Sequence, residues 1–424
     1  MKDIEKYIVG IRAQDFHEGL KEVPAHPLIE VDFRNTILIG KAATLATHLK
    51  GLLYVEDYRA LQYMAAELGI RAAELDLVLM ELQEIGFVNV LKAAGSFKRL
   101  EIKVPELRNA YEELGERWEY LKPTELEHAG IVVLQNVIEL PRTESFVSHN
   151  LNLDASALDI IVDVGSAGAL ISRYDISGRE PIFYSPLCIE EDPKPFIVLA
   201  EKYPSEKVVK SFEIISRYQG LPREDAKVRG NDIIEEAVLS GILAPTKIET
   251  PRGEKQFLFT PRVGLSREER IILDKARAIL ACVRSGQHYA AGRPIHNPRR
   301  ILETLRQKKR FSKSHPDLKI QYGALVAKQI GVPIEGPSGS YNFQVNDTPE
   351  NLKAFDVALE MLEFGEAPSA RVDLNAQKLL LQPSSYTGAV TTRARVARTM
   401  RRSRTTQTII IEELTKIARG VTRD

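Results

Sequence analysis

The hydrophobic positions of residues 50–105 change their spacing along the chain, from that of helices to that of strands. Apolar residues recur every three or four positions in Tyr58–Leu68, which follows Asp57 as a candidate N-cap, and again in Arg71–Ile85. In Phe87–Lys92 and Lys98–Val104 they alternate with polar residues, as in a half-buried hairpin. The pattern predicts a helix, a tight turn, a second helix and a hairpin, in that order.

The same order of elements is predicted for residues 201–262. A first helix begins after Pro204, a short second helix begins at Pro222, and a third begins at Asn231 or Asp232. A hairpin with its turn at 251–253 follows.

A third and looser copy is predicted in residues 266–346. Its elements are helices at Ser266–Arg284, Asn297–Lys309 and Asp317–Ile330 and a hairpin turned at Gly336–Gly339. Pro333 and Pro337 restrict this hairpin to the edge of a sheet, because proline has no backbone N–H to donate.

Residues 129–200 have a different pattern. Gly130–Leu140 and Leu158–Gly165 are apolar runs rich in β-branched residues, which predict buried strands. The stretch around Ser177-Gly178 predicts a further hairpin. We therefore expect a small α/β region here.

Helix, turn, helix and hairpin in succession resemble the winged helix-turn-helix superfamily, and the resemblance covers about half of the chain. The expected fold class is α+β, with tandem winged-helix-like units and an intervening small α/β region. The expected domains are an N-terminal segment (1–49), a first winged-helix-like domain (50–128), the α/β region (129–200), a second (201–262) and a third, basic winged-helix-like domain (263–366), and an Arg-rich C-terminal arm and helix (367–424).

Composition is that of a globular protein, with 44% hydrophobic and 27% charged residues. Two cysteines are too few for a disulfide framework and favour a reducing compartment, and neither a signal peptide nor a long apolar run is evident. We expect a cytoplasmic protein without a membrane segment. The histidines and cysteines have no metal-site spacing and no phosphate-loop or nucleophile motif is complete, so no cofactor, metal or catalytic residue is predicted.

Charge is unevenly distributed although the net charge is zero. Residues 261–424 contain 28 Lys and Arg against 16 Asp and Glu, so the rest of the chain is acidic to the same extent. A basic half attracts polyanions, which places any nucleic-acid surface after residue 260. Mutual attraction between the two halves is the structural alternative.

The third unit has the densest group of candidate nucleic-acid ligands. They are Arg293, Arg299, Arg300, Arg306, Lys308, Lys309, Arg310, Lys313, Lys319, Gln321, Tyr322 and Lys328. Basic side chains bind phosphates, and Gln or Tyr side chains contact bases. A solvated basic face is the alternative interpretation.

An arginine-rich arm near the C-terminus is the second candidate. Its residues are Arg393, Arg395, Arg398, Arg401, Arg402 and Arg404. Arginine makes bidentate phosphate contacts and enters narrow minor grooves. The apolar stretch Thr408–Ile417 would instead suit a protein partner or a dimer.

The second helices of the first two units are acidic, which is unfavourable beside a phosphate backbone. We expect these units to serve in assembly, partner docking or homodimer formation. The function predicted overall is nucleic-acid binding, to double-stranded DNA or alternatively RNA, in transcription regulation or as a DNA-binding subunit of a mobile-element or phage-defence system.

Two alternatives stay open. One is a protein-interaction scaffold built from winged helices. The other is a metal-dependent nuclease, for which Glu101-Ile102-Lys103, or Asp192-Pro193-Lys194 together with Asp163 and Asp175, has the carboxylate–lysine spacing.

Overall fold

The computed structural model describes residues 4–377, except for short gaps. These gaps are 25, 94, 152, 176–177, 190–192, 251–252, 262–266, 291–293, 312–313, 315–317, 337–338, 366, 368–369, 371 and 374–375. The chain forms two compact units. Unit one contains the described residues up to 138, 142–186 and those from 372 onward, and unit two contains 139–141 and 187–371.

Unit one begins with a module of helices around a three-stranded antiparallel sheet. Its elements are α1 (Lys6–Leu20), α2 (Pro27–Glu30), α3 (Arg34–Leu49), β1 (Tyr54–Val55), α4 (Tyr58–Glu67), α5 (Ala72–Glu84), β2 (Val88–Ala93), β3 (Ser96–Ile102) and α6 (Leu107–Tyr120). The strand order is β1-β3-β2, so the short strand before the helix pair joins the second strand of the hairpin.

Local signals in the sequence account for α4 and α5. The Asp57 carboxylate accepts hydrogen bonds from the backbone N–H groups of Arg59 and Ala60, at 2.8 and 3.1 Å, and so caps α4. Gly86 follows α5 with a φ of 76°, a conformation that favours glycine. The predicted helix, turn, helix and hairpin are confirmed here, with bounds shifted by one or two residues.

Helix α1 lies at the centre of unit one, where its residues from Val9 to His17 are all buried. It packs closely on α3 and α6 because glycines occupy the crossings. A Cβ atom at Gly40 would lie 2.2 Å from the Ala13 carbonyl oxygen, and one at Gly115 would lie 2.0 Å from that of Lys6. Only glycine fits at these positions without backbone movement.

The second module of unit one corrects the prediction of an α/β region. Its elements are α7 (Glu125–Glu139), β4 (Arg142–Thr143), α8 (Glu144–Leu151), α9 (Ala155–Ala167), β5 (Ser172–Tyr174) and β6 (Ile182–Tyr184). The predicted strands at Gly130–Leu140 and Leu158–Gly165 are wrong, since both runs lie in helices. Long apolar runs have the same appearance in a buried helix and a buried strand. The hairpin prediction is confirmed, and its strands again follow the order β4-β6-β5.

Unit two begins with a third module. Its elements are α10 (Lys194–Lys202), α11 (Ser205–Arg217), β7 (Leu221–Pro222), α12 (Asp232–Leu239), β8 (Thr246–Thr250) and β9 (Gly253–Leu258). The short helix predicted at Pro222 is wrong: Pro222 pairs with Phe257 in the sheet, and residues 223–230 form turns. The Arg223 N–H extends this pairing by donating to the Gln256 carbonyl oxygen at 2.9 Å.

A fourth module completes unit two. Its elements are α13 (Arg267–His288), α14 (Pro298–Lys308), α15 (Leu318–Gln321), α16 (Gly323–Ala327), β10 (Gly331–Glu335), β11 (Tyr341–Val345) and α17 (Pro349–Phe364). The helix predicted over residues 317–330 is two short helices. Arg310 forms an isolated bridge to Gln344 of β11, so β10, with Pro333, is an edge strand as predicted.

Within the described residues, the same topology thus occurs four times, in the order helix, short strand or bridge, helical or turn segment, helix and hairpin. The fold is a mixture of helices and small antiparallel sheets, which confirms the α+β class. The first and fourth modules each have an additional pair of flanking helices. These are α1 and α6 in the first module and α13 and α17 in the fourth. In unit two, the buried residues of α13 pack in one core with those of α14, α17 and the β8–β9 hairpin.

Candidate nucleic-acid interface

The candidate cations of the fourth module lie mainly on α14 and on the strand-like residue that follows it. Asn297 begins the helix by accepting a hydrogen bond from the Arg300 N–H at 3.0 Å, and Pro298 occupies its first position. Lys309 ends the helix with a left-handed φ of 59°, and the chain turns into the Arg310–Gln344 bridge. The basic run is therefore held by ordinary helix capping and sheet pairing.

Two of the predicted ligands join α14 to α17. Arg306 donates two hydrogen bonds to the Asp356 carboxylate, at 2.8 and 3.1 Å. Arg299 forms an ion pair with Glu363 at 3.0 Å. These guanidinium groups are engaged within the module, which reduces their capacity to bind phosphate.

Two lysines are engaged in the same way. The Lys309 amine lies 3.1 Å from the Asp347 carboxylate, and the Lys328 amine donates to Asp274 on α13. The neighbouring carboxylates repel phosphate, so these lysines are weaker candidates than their charge alone indicated.

Gln321 and Tyr322 lie where they stabilise the module. The Gln321 side-chain amide donates to the Cys282 carbonyl oxygen at 3.0 Å. Tyr322 is 1% exposed, and its ring centroid lies 5.4 Å from those of Phe311 and Phe343. Burial raises the pKa of the Tyr322 hydroxyl. A ring in this position belongs to the hydrophobic core and cannot reach a base without local unfolding.

Four predicted cations remain outward facing: Arg300, Lys308, Arg310 and Lys319, which we call the exposed cations. None of them forms an ion pair with any carboxylate in the described part of the chain. Arg300 and Lys308 are eight residues apart on α14, which corresponds to about 12 Å along the helix axis. The Lys319 amine lies 4.0 Å from the centroid of the Tyr341 ring, a cation–π contact that positions its charge.

The other predicted ligands lie outside the described residues. They are Arg293, Lys313 and the arm residues Arg393, Arg395, Arg398, Arg401, Arg402 and Arg404.

In the first module, carboxylates occupy α5, the second helix of the pair. Asp76 and Glu84 are exposed on α5, and Glu74 contacts Arg71 and Lys41. Burial raises the pKa of Glu74, but the hydrogen bonds from Arg71 and Lys41 outweigh it and lower that pKa to about 2. The helix is thus negatively charged at neutral pH.

The corresponding helix of the third module, α12, is also acidic, and α10 packs against it. Glu235 of α12 accepts hydrogen bonds from Arg223, which lower the pKa of the Glu235 carboxyl. Glu236 of α12 accepts a hydrogen bond from Lys202 of α10 at 2.6 Å. Helix α9 of the second module exposes Asp159 and Asp163. None of these three helices presents a basic surface.

The residues considered for a nuclease are not gathered into a metal site within the described ranges, where no group of three metal-ligating side chains was found. Glu101 accepts hydrogen bonds from Asn89 at 3.1 Å and Arg99 at 3.2 Å on the outer face of the sheet. Asp175 is paired with Arg173, and Asp192 lies outside the described residues.

The carboxylate partners on α17 were missed by sequence reasoning, although a signal for them exists. Arg299 and Arg306 are seven residues apart, as are Asp356 and Glu363. Seven residues are two helical turns, so each pair lies on one face, and opposite charges at equal spacing on two amphipathic helices indicate a contact.

Comparison with protein-family models, curated proteins and solved structures finds no match for this chain. Among its described helices, none is both long and apolar enough to cross a membrane.

Proposed function

We propose that this chain binds nucleic acid, with double-stranded DNA as the preferred partner, through its fourth module and the Arg-rich arm. In this proposal the four modules are winged-helix domains. The observation that carries it is the set of exposed cations Arg300, Lys308, Arg310 and Lys319, which stay outward facing while the other described cations among the predicted ligands are paired with carboxylates.

The proposed mode of binding is contact with the phosphate backbone. The exposed charged residues of α5, α9 and α12 are carboxylates, and α16 is a short apolar helix, so none of these four helices, each of which directly precedes a hairpin, offers the basic side chains of a groove reader. Phosphate contacts fix position without reading sequence. We therefore expect weak sequence preference and a strong dependence of affinity on salt.

The test replaces the four exposed cations together with glutamine in the full chain. We expect duplex affinity, measured by fluorescence anisotropy at about 0.1 M salt, to fall roughly a thousandfold, because the counterions that four phosphate contacts release contribute about that much at this salt concentration. The slope of log affinity against log salt should become shallower by about 3 to 4, since each phosphate contact contributes about 0.9.

A matched control keeps the change in net charge the same. Lys207, Lys210, Arg217 and Arg229 are exposed cations of the third module, and their replacement with glutamine should leave both affinity and slope near the wild-type values. Equal losses in the two variants would show that net charge alone matters. No binding of duplex or RNA by the wild-type chain would reject the proposal in favour of a protein scaffold.

A further inference from the structure

The outward face of α5 in unit one is apolar and bordered by acidic residues. Leu77 is 37% and Met80 is 49% exposed, and they lie three positions apart on one side of the helix. Asp76 and Glu84 are exposed beside them. This exposure shows that no other described element covers the face, although large apolar side chains are usually covered when they cluster.

Charge distribution identifies a complementary segment in the same chain. Residues 1–186 contain 19 basic and 29 acidic side chains, whereas residues 372–424 contain 10 basic and 4 acidic ones. The C-terminal stretch is therefore attracted to unit one. The attraction is local, because charges more than about 10 Å apart are largely screened at 0.1 M salt.

The same stretch also has the apolar residues that the α5 face requires. After its six arginines come Ile409, Ile410, Ile411, Leu414 and Ile417. Ile410, Leu414 and Ile417 recur at intervals of four and three residues, the spacing of an apolar stripe. A segment with basic residues followed by an apolar stripe matches a face on which apolar side chains are flanked by carboxylates.

The starting point of the C-terminal stretch lies on unit one. The Asp373 N–H donates to His48 Nε2 at 2.7 Å, and the Gln377 side-chain amide donates to the His48 carbonyl oxygen at 2.9 Å. Fourteen residues separate Gln377 from Thr391, and a random coil of that length spans about 20 Å on average. Lys41 of α3 pairs with Glu74 of α5 at 2.8 Å, and His48 lies seven residues, or about 10 Å, further along α3, so α5 is within reach of the stretch.

We propose that residues 391–417 dock on the outward face of α5 of the same chain, and that nucleic acid displaces them. Docking places the arginine arm against unit one when no nucleic acid is bound. Nucleic acid binding then releases the arm for phosphate contacts. The displacement step rests on the proposed function, whereas the docking step does not.

The experiment uses photocrosslinking in the full-length protein. Ala73, an exposed residue on α5, is replaced with p-benzoylphenylalanine, and the crosslinked peptides are identified by mass spectrometry after irradiation. Mixing equal amounts of unlabelled and ¹⁵N-labelled protein separates contacts within a chain from contacts between chains. We expect crosslinks to residues 391–417 in pairs whose two peptides are both unlabelled or both ¹⁵N-labelled.

Two double variants test whether the apolar face is responsible. Leu77→Lys with Met80→Lys should lower the crosslink yield about tenfold, through lost apolar burial and repulsion of the arginines. Leu239→Lys with Val198→Lys is the control, since both residues are exposed apolar positions of unit two. This control should leave the yield unchanged.

Three results would overturn the docking step: crosslinks only to other segments, crosslinks in mixed isotope pairs, or equal losses in both double variants. Mixed pairs would instead identify a second copy as the occupant. Crosslinking without duplex binding would leave docking in place and reject the proposed function. Duplex binding without crosslinks would support the proposed function and reject docking. If duplex binds but the crosslink yield does not change, displacement is rejected.

Discussion

Gly115→Ala is expected to destabilise unit one by about 3 kcal/mol, the upper range for overpacking a well-packed site. The added Cβ would lie 2.0 Å from the Lys6 carbonyl oxygen and 2.7 Å from the carbonyl carbon. These are backbone atoms of α1, so no side chain can move aside. Alanine gains up to about 1 kcal/mol in helix propensity, which the clash exceeds.

The contact is reciprocal, which explains why the helices cannot easily separate. A Cβ at Gly10 of α1 would lie 2.4 Å from the Tyr111 carbonyl oxygen of α6. Each helix therefore contributes one glycine and one carbonyl group to the crossing. Gly10 and the Lys6 carbonyl are four residues apart on α1, and Gly115 and the Tyr111 carbonyl are four residues apart on α6. Relief at one glycine requires movement at the other.

Urea unfolding followed by the fluorescence of Trp118 measures this effect. Trp118 is the single tryptophan of the chain, lies on α6 and is 1% exposed, so it reports the unfolding of unit one. Asn109→Ala, at an exposed position of the same helix, is the control and should change stability by less than about 0.5 kcal/mol. A midpoint for Gly115→Ala equal to that of the control would contradict the close packing.

The helices that were predicted correctly have capping residues close to their ends in the sequence. Asp57 caps α4 and Gly86 follows α5, and both act within a few residues of their helix ends. Helices α7 and α9 also have caps, at Thr124 and Asp154, but their long apolar runs favoured the strand interpretation. In Gly130–Leu140, β-branched residues cover several sides because α7 is buried on several sides, and the period of the helix disappears.

For the candidate interface, the sequence shows which residues are charged but not which of them are paired. Positive charge at Arg300 and Lys308 is a property of the residues themselves. Whether Arg306 is paired depends on Asp356, fifty residues later, and on the packing of α14 against α17. Long-range packing also decides the position of Tyr322, because a helix as short as Leu318–Gln321 has too few residues to show a buried side.

The buried polar residues of α1 predict a pH dependence of stability. Burial is the main cause that lowers the pKa of His17 from 6.5 to about 4, and the ring is held neutral with Nε2 at 2.9 Å from the Leu68 carbonyl oxygen. In the unfolded chain the same ring has a pKa of about 6.5. Between pH 6.5 and 4 the unfolded state therefore binds a proton that the folded state does not, so stability falls as the pH decreases.

At pH 5 the expected loss from His17 is about 2 kcal/mol relative to pH 7.5. Glu18, next in the chain, has a pKa of about 2 in the folded state. Burial raises the pKa of this carboxyl, but the larger combined effect of Lys21 and His17 lowers it. Its contribution is lost only below pH 4.5, outside this range. His17→Gln keeps a donor for the Leu68 carbonyl oxygen but cannot titrate, so it should lose about 2 kcal/mol less than wild type between the two pH values.

The same Trp118 fluorescence, recorded in urea at pH 7.5 and 5.0, gives both differences. His149→Gln is the control, because His149 lies on an exposed position of α8 and should leave the pH dependence of wild type intact. His128, whose pKa burial also lowers, contributes equally to all three proteins. An unchanged pH dependence in His17→Gln would show that the ring at this position is not the group whose protonation opposes folding.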